Sequence, residues 1–260
     1  MAILTQQYMI YARTAELAGK ILLESRAESY RVEETARHFL LASGLPVAEV
    51  STNNTGLYLT LADHDNNMIP ITMVTRVHNF SNRLGRIYKV NNVSRQLTSG
   101  KIDIYQAYDK LVEIDRAEYS EFNKDIANIF LVMSFTMLLG GGLVDILASS
   151  LIGSIVMFSR MLHKKLGLNE FIRGTVTTLS IALVAHGIDR LAPGWYSPDL
   201  VIIAGLMPLY PGTLVTNGIR DMLKGDYLSG VAFISAALVT AISLAIGVVL
   251  GIFIFRGVLR

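Results

Sequence analysis

LMPLYPGTLVTNGIRDMLKGD, residues 206–226, is the stretch on which the fold turns. The residues leading into it, 200–209, are apolar enough for a bilayer, yet Pro208 and Pro211 then remove two backbone donors within one turn. In hydrocarbon each freed backbone group needs a partner, so such a break survives only where protein or a water-filled cavity supplies one. Beyond it Thr213, Thr216, Asn217 and Arg220 recur at i, i+3, i+4 and i+7, a single polar face, and Pro211 stands where a new half-helix would start. Such a start presents free N–H groups and the positive end of the helix dipole to a carboxylate. Pro208, Pro211, Gly212, Thr213, Thr216, Asn217 and Arg220 are therefore the candidate substrate-binding set. A proline kink with threonines packed against neighbouring helices explains the same residues, and this segment alone leaves both readings open.

Outward from the break, the chain divides. Residues 1–125 carry 14 Lys/Arg and 15 Asp/Glu, whereas residues 126–260 carry 9 and 6 and hold 16 of the 21 glycines. With a mean hydropathy of +0.43 for the whole, the first part reads as a water-soluble domain, 1–118, and the second as a membrane domain, 119–260. In the 34 residues of 126–159 the only charge is Asp145, and one helix of that length would run roughly 50 Å against a hydrocarbon core of about 30 Å. Gly140-Gly141-Gly142 offers a turn, so two short spans are expected, at about 126–142 and 143–162. Three more follow at about 171–191, 199–219 and 227–255, for five in all. Arg160, Lys164, Lys165, Arg173, Arg220 and Lys224 then fall on one side and Arg190, Arg256 and Arg260 on the other. Positive charge favours the inside, which puts the N-terminal domain in the cytosol and the C-terminus outside.

The soluble part shows helical periodicity over about 6–24 and 30–42, then Ser43-Gly44-Leu45-Pro46 breaks it. β-branched or alternating runs at 47–52, 56–62 and 68–77 follow, the last two flanking the turn composition Asp63-His64-Asp65-Asn66-Asn67. Two further helices are expected at about 79–98 and 102–121. The fold class is thus an α+β N-terminal cytosolic domain followed by an α-helical transmembrane domain of five spans.

Three ionisable residues in the membrane half are candidates for proton coupling: Asp145, His186 and Asp189. His186 and Asp189 share a helix face with Thr175 and Thr178, but a water-exposed helix end accounts for Asp189 equally well. Asp145 is either a cavity carboxylate behind the glycines or a residue of the outer loop. Ser243, Gly247 and Gly251 form a stripe of small residues at every fourth position, which reads as helix packing. Arg76, Arg83, Arg86, Lys89, Arg95 and Lys101 lie between Asp65 and Asp103 with no intervening acid. They suit anionic headgroups, an anionic substrate or simply a solvated face.

Enzyme chemistry is not written in this chain. It has no cysteine, its five histidines lack metal-ligand spacing, and neither a phosphate-cradling glycine loop nor a nucleophile elbow is present. No catalytic residue, metal site or cofactor is expected, and a net charge of +2 gives no reason to expect nucleic acid.

The order of a soluble α+β domain and then membrane spans, with AGKILLESRAESYRVEETA (18–36), the run 72–114 and MPLYPGTLVTNGIRDMLKGDYLSG (207–230), resembles the threonine/serine exporter family. The most specific pieces are Tyr30-Arg31-Val32-Glu33 and the Pro208-x-x-Pro211-Gly212 run followed by Arg220-Asp221 and Gly225-Asp226. The resemblance implies a secondary exporter of small carboxylated metabolites, threonine and serine or a dicarboxylate such as succinate, in the inner membrane. Fused members carry a second membrane half, so a chain of 260 residues resembles the larger subunit of the split form, completed by a small multi-span membrane partner, with a higher oligomer left open. The alternatives are a non-transporting membrane sensor or scaffold whose cytosolic domain binds a metabolite, and a channel.

Overall fold

The computed structural model describes residues 2–65, 68–116, 121–191 and 193–258. By internal contacts they form two compact units, one of residues 1–118 with 213–234 and the other of residues 119–212 with 235–260. The chain thus leaves the first unit, returns to it immediately after the proline break, and leaves again.

The first unit opens with α1 (Ala2–Glu24) and α2 (Ser29–Leu41), followed by β1 (Val47–Thr52), β2 (Gly56–Ala62) and β3 (Ile71–Arg76), then α3 (Leu84–Thr98) and α4 (Ile104–Asp115). The strands pair antiparallel in the order β1-β2-β3, with Val50 opposite Leu59 and Leu59 opposite Met73. Alternation along β2 turns Leu57, Leu59 and Leu61 into the core and leaves Tyr58 exposed. Ile21 and Leu22 of α1, Phe39 and Leu40 of α2, and Leu111 of α4 complete that core with no exposed surface. Fully burying each such side chain contributes roughly 1.5–3 kcal/mol. Gly19 lets α1 approach the sheet, since a Cβ there would lie 2.5 Å from Leu57 Cδ2.

The α3 helix starts later than the expected residue 79, and its neighbours show why. The Ser81 N–H donates to Glu24 O at 2.8 Å and the Arg83 N–H to Ser25 O at 3.5 Å, so this segment stays extended and satisfies carbonyls at the end of α1. At the start of α4, Asp103 and Gln106 form a capping box. Its other end is held by Arg86, whose guanidinium donates to Asp115 O at 3.1 Å and Arg116 O at 2.8 Å. Arg86 is 2% exposed, so this member of the basic run is a buried clamp on carbonyls and no part of a solvated face.

Part of the first unit also comes from α9 (Gly212–Leu223) and the opening turns of α10 (Tyr227–Val258). These two helices approach closely through glycines: a Cβ on Gly218 would lie 3.0 Å from Gly230 O.

The second unit contains α5 (Glu121–Leu138), α6 (Leu143–Leu166), α7 (Glu170–Leu191), α8 (Pro198–Leu206), a single 3-10 turn (Met207–Leu209) and residues 235–258 of α10. Val132, Ile152, Ile181, Val201 and Ala204 form its buried centre. The small-residue stripe packs as its spacing suggests. A Cβ on Gly247 would overlap Thr178 Oγ1, and one on Gly251 would lie 2.6 Å from Ala182 Cβ. Across the same seam, Thr175 Oγ1 donates to Ser243 O at 3.1 Å and Thr178 Oγ1 to Leu244 O at 2.9 Å.

The expectation of five transmembrane spans is not met. Among the described residues three helices are long and apolar enough to cross a membrane, Leu143–Leu162, Glu170–Leu191 and Tyr227–Gly257. The broken pair Pro198–Leu209 and Gly212–Leu223 makes a fourth only if its two pieces count together. The expected first span fails because α5 begins with Glu121, Lys124 and Asp125 inside the helix. Its uncharged remainder, 126–138, covers roughly 20 Å. Asp125 is buried and paired with Arg160 of α6, so the charge belongs to the helical packing.

Candidate functional site

In the first unit α9 lies along the turn between α1 and α2. Its polar side chains make a ladder: Thr213 Oγ1 donates to Asn82 Oδ1 at 3.0 Å, Asn217 Nδ2 to Arg26 O at 2.8 Å, and Arg220 Nη1 to Glu28 Oε1 at 2.6 Å. One rung further, Asp221 Oδ2 accepts from Ser29 Oγ at 3.1 Å and from the Ser29 N–H at 3.5 Å. The series closes with Lys224 Nζ, 5.4 Å from the centre of the Tyr30 ring.

Local chemistry explains each rung. Arg26 has φ +58°, a left-handed residue that reverses the chain between α1 and α2, and its carbonyl is taken up by Asn217. Glu28 precedes α2 but does not cap it, because its two oxygens go to Arg220 and, at 3.2 Å, to Arg31. Asp221 supplies the cap from another helix, its Oδ2 accepting from the Ser29 N–H and hydroxyl at the start of α2. Glu33 accepts the Thr52 N–H at 2.8 Å. Burial pushes the Glu33 carboxyl above its usual range, the Thr52 bond opposes that, and the Asp226 carboxylate adds to the rise. Asp226 caps α10 through the Ser229 N–H at 3.1 Å.

Of the sequence-derived set, Thr213, Asn217 and Arg220 come together on one face, occupied by the α1–α2 turn and Asn82. Thr216 is exposed on the same helix. Pro208 lies in the 3-10 turn, Pro211 is buried and Gly212 opens α9. The residues that sequence reasoning missed are Glu28, Ser29 and Asp221. A signal existed: Tyr30-Arg31-Val32-Glu33 and Arg220-Asp221 were the most distinctive pieces of the chain, and they converge here.

The candidate proton-coupling residues lie in the second unit. Asp145 Oδ2 accepts the Gly142 N–H and Oδ1 the Ser197 N–H, both at 2.7 Å. It caps α6 and ties the glycine turn to the loop before α8. The His186 ring stacks on Phe255 with centroids 5.4 Å apart, and its Nε2 is buried without a partner. No hydrogen bond joins His186 to Asp189 among the described residues, so the pair is not assembled as a relay. Nor does any His, Cys, Asp or Glu group there have the arrangement to hold a metal.

Known proteins give this geometry its context. The family described as "Putative threonine/serine exporter" matches residues 13–255. A "Threonine/serine exporter" of Corynebacterium glutamicum is 40% identical over 90 residues, 34% of this chain and 18% of that protein. A "Probable threonine/serine exporter" of Mycobacterium tuberculosis (strain ATCC 25618 / H37Rv) is 25% identical over 192 residues, 73% of this chain and 35% of that protein. The "Probable succinate transporter subunit YjjP" of Escherichia coli (strain K12) is 20% identical over 251 residues, 96% of this chain and 97% of that protein. The chain therefore spans well under half the length of the two exporters and nearly all of the subunit. No solved structure matches it. The match over residues 13–255 makes this chain a member of the threonine/serine exporter family, and its apolar helices make it a multi-pass membrane protein.

Proposed function

We propose that the chain is one subunit of a secondary-active exporter of small carboxylated metabolites, threonine and serine or a dicarboxylate such as succinate, completed by a separate small membrane protein. The observation that carries this reading is the extent of the alignments: 97% of a transporter subunit, against 18% and 35% of two exporters. A subunit supplies only part of the polar groups that must replace a carboxylate's hydration shell, so a partner is needed to complete the path. In this reading the N-terminal domain is cytosolic and the membrane is an inner membrane. Gradient-driven transport is favoured because the sequence has no nucleotide-cradling loop.

The broken segment keeps its place in this proposal with a changed role. Three of its polar side chains are bound to the N-terminal domain's own groups, so α9 is read as the element through which that domain acts on the helix break. A carboxylate substrate would bind near Pro211 and Gly212, at the start of α9. The test is flux in reconstituted vesicles loaded with threonine, serine or succinate. Efflux that needs both proteins and an imposed ion gradient is the expected result. Efflux from this chain alone would remove the partner, gradient-independent flux would indicate a channel, and no flux under any loading would favour a sensor.

A further inference from the structure

We infer that Asp221 is a proton-binding site that latches α9 to the α1–α2 turn: the docked state holds the neutral acid, and loss of the proton releases the helix. Asp221 has no exposed surface. Its Oδ2 is satisfied by Ser29, whereas its Oδ1 has no hydrogen-bond partner and no ion pair reaches it among the described residues. A buried carboxylate left without a cation is among the least favourable groups a protein can hold, and protonation removes most of that penalty.

The surrounding charges act in the same direction. Glu28 just before α2 and Glu33 on it are both acids, and Asp226 stands between α9 and α10. The cations that face this region, Arg220 on α9 and Arg31 on α2, are both bonded to Glu28, and Lys224 lies over the Tyr30 ring. Two more buried hydroxyls of the same unit, Ser25 Oγ and Ser229 Oγ, also lack partners, so this region contains unsatisfied polar groups but no bonded counter-charge for Asp221. Opposing these, the N-terminus of α2 and the two Ser29 bonds favour the anion. Ionisation of Asp221 would put an unpaired charge at this buried position and break the most buried rung of the ladder.

The inference deepens the transport reading through its consequence, but it is measured without transport, so either can fail alone. The chain has no cysteine, so Asn82→Cys with Thr213→Cys gives a unique pair for nitroxide labels across the outermost rung. The experiment follows dipolar broadening by continuous-wave EPR on the full chain in membranes from pH 5 to pH 9. The labels should be close at acid pH and separate as pH rises. Asp221→Asn, permanently neutral, should keep them close throughout. Ser29→Ala, which removes a bond to the anion, should move the midpoint to higher pH and serves as the test if Asp221→Asn does not fold. Broadening that ignores pH in the parent, an unaltered pH profile in Asp221→Asn, or an unmoved midpoint in Ser29→Ala would each overturn the proposal.

Discussion

Two helix seams in this protein join their partners by opposite means. The α9 seam is made of long polar side chains, Asn217, Arg220 and Asp221, each reaching one named group on the α1–α2 turn. The α7–α10 seam is made of what is missing: Gly174, Gly247 and Gly251 let backbones approach until threonine hydroxyls reach the opposing carbonyls. The first depends on charge and can be undone by loss of the Asp221 proton or by a competing ligand. The second is held by uncharged hydroxyls and carbonyls, with the His186 ring stacked on Phe255, and nothing short of separating the helices undoes it.

This contrast can be attacked from the strong side first. Gly247→Leu would drive a side chain into Thr178 and the Thr175 carbonyl, so the folded protein should be lost or destabilised by at least about 3 kcal/mol, the upper end for overpacking. Gly257→Ala, where nothing lies within 4 Å, should be tolerated; yield and elution profile of the purified variants decide it. On the α9 seam, Asn217→Leu removes the bond to the Arg26 carbonyl and should destabilise by about 1–3 kcal/mol, with protease cleavage between α1 and α2 as the readout. Thr213→Val, at an exposed rung, should have clearly less effect. Equal effects on transport with no change in cleavage would return both residues to a substrate role.

Smaller still is the Arg220–Glu28 pair. Glu28 is 8% exposed but Arg220 is 55% exposed, so solvent screens it, and a double-mutant cycle should give roughly 0.5–1 kcal/mol of coupling. The smallest effect is expected at Glu33. Its folded-state carboxyl titrates above the ordinary range, so ionisation weakens the fold, and its contribution is fully present below about pH 4 and is lost as pH rises through the raised value. Glu33→Gln should match the parent in acid and exceed it near neutrality, by on the order of 1 °C in melting temperature. An advantage that appeared only in acid would reverse the sign of the argument.

The strands of the first unit were legible because their signals are local. Alternation along 56–62 and the turn residues after Ala62 each constrain a few neighbours, and the strands fall close to where those patterns put them. The five-span reading failed through a quantity that local pattern does not carry. Residues 126–159 are nearly free of charge, but Glu121, Lys124 and Asp125 lie inside the helix that contains the first of them, and Asp125 is held there by Arg160. For the site, the i, i+3, i+4, i+7 spacing put Thr213, Asn217 and Arg220 on one face and could say nothing of what covers it. A face is a property of one helix, whereas Asn217 and Arg26 are 191 positions apart.

Asp145 carries one last consequence. With one oxygen on the Gly142 N–H and the other on the Ser197 N–H, it rivets the turn ahead of α6 to the loop ahead of α8. The first bond travels with α6, so the two helices cannot slide past one another by a turn without breaking the second. While the Ser197 bond holds, movement within that unit carries α6 and α8 together, as a rocking body pivoting about a fixed end, and ratchet-like translation of one along the other has to break it first.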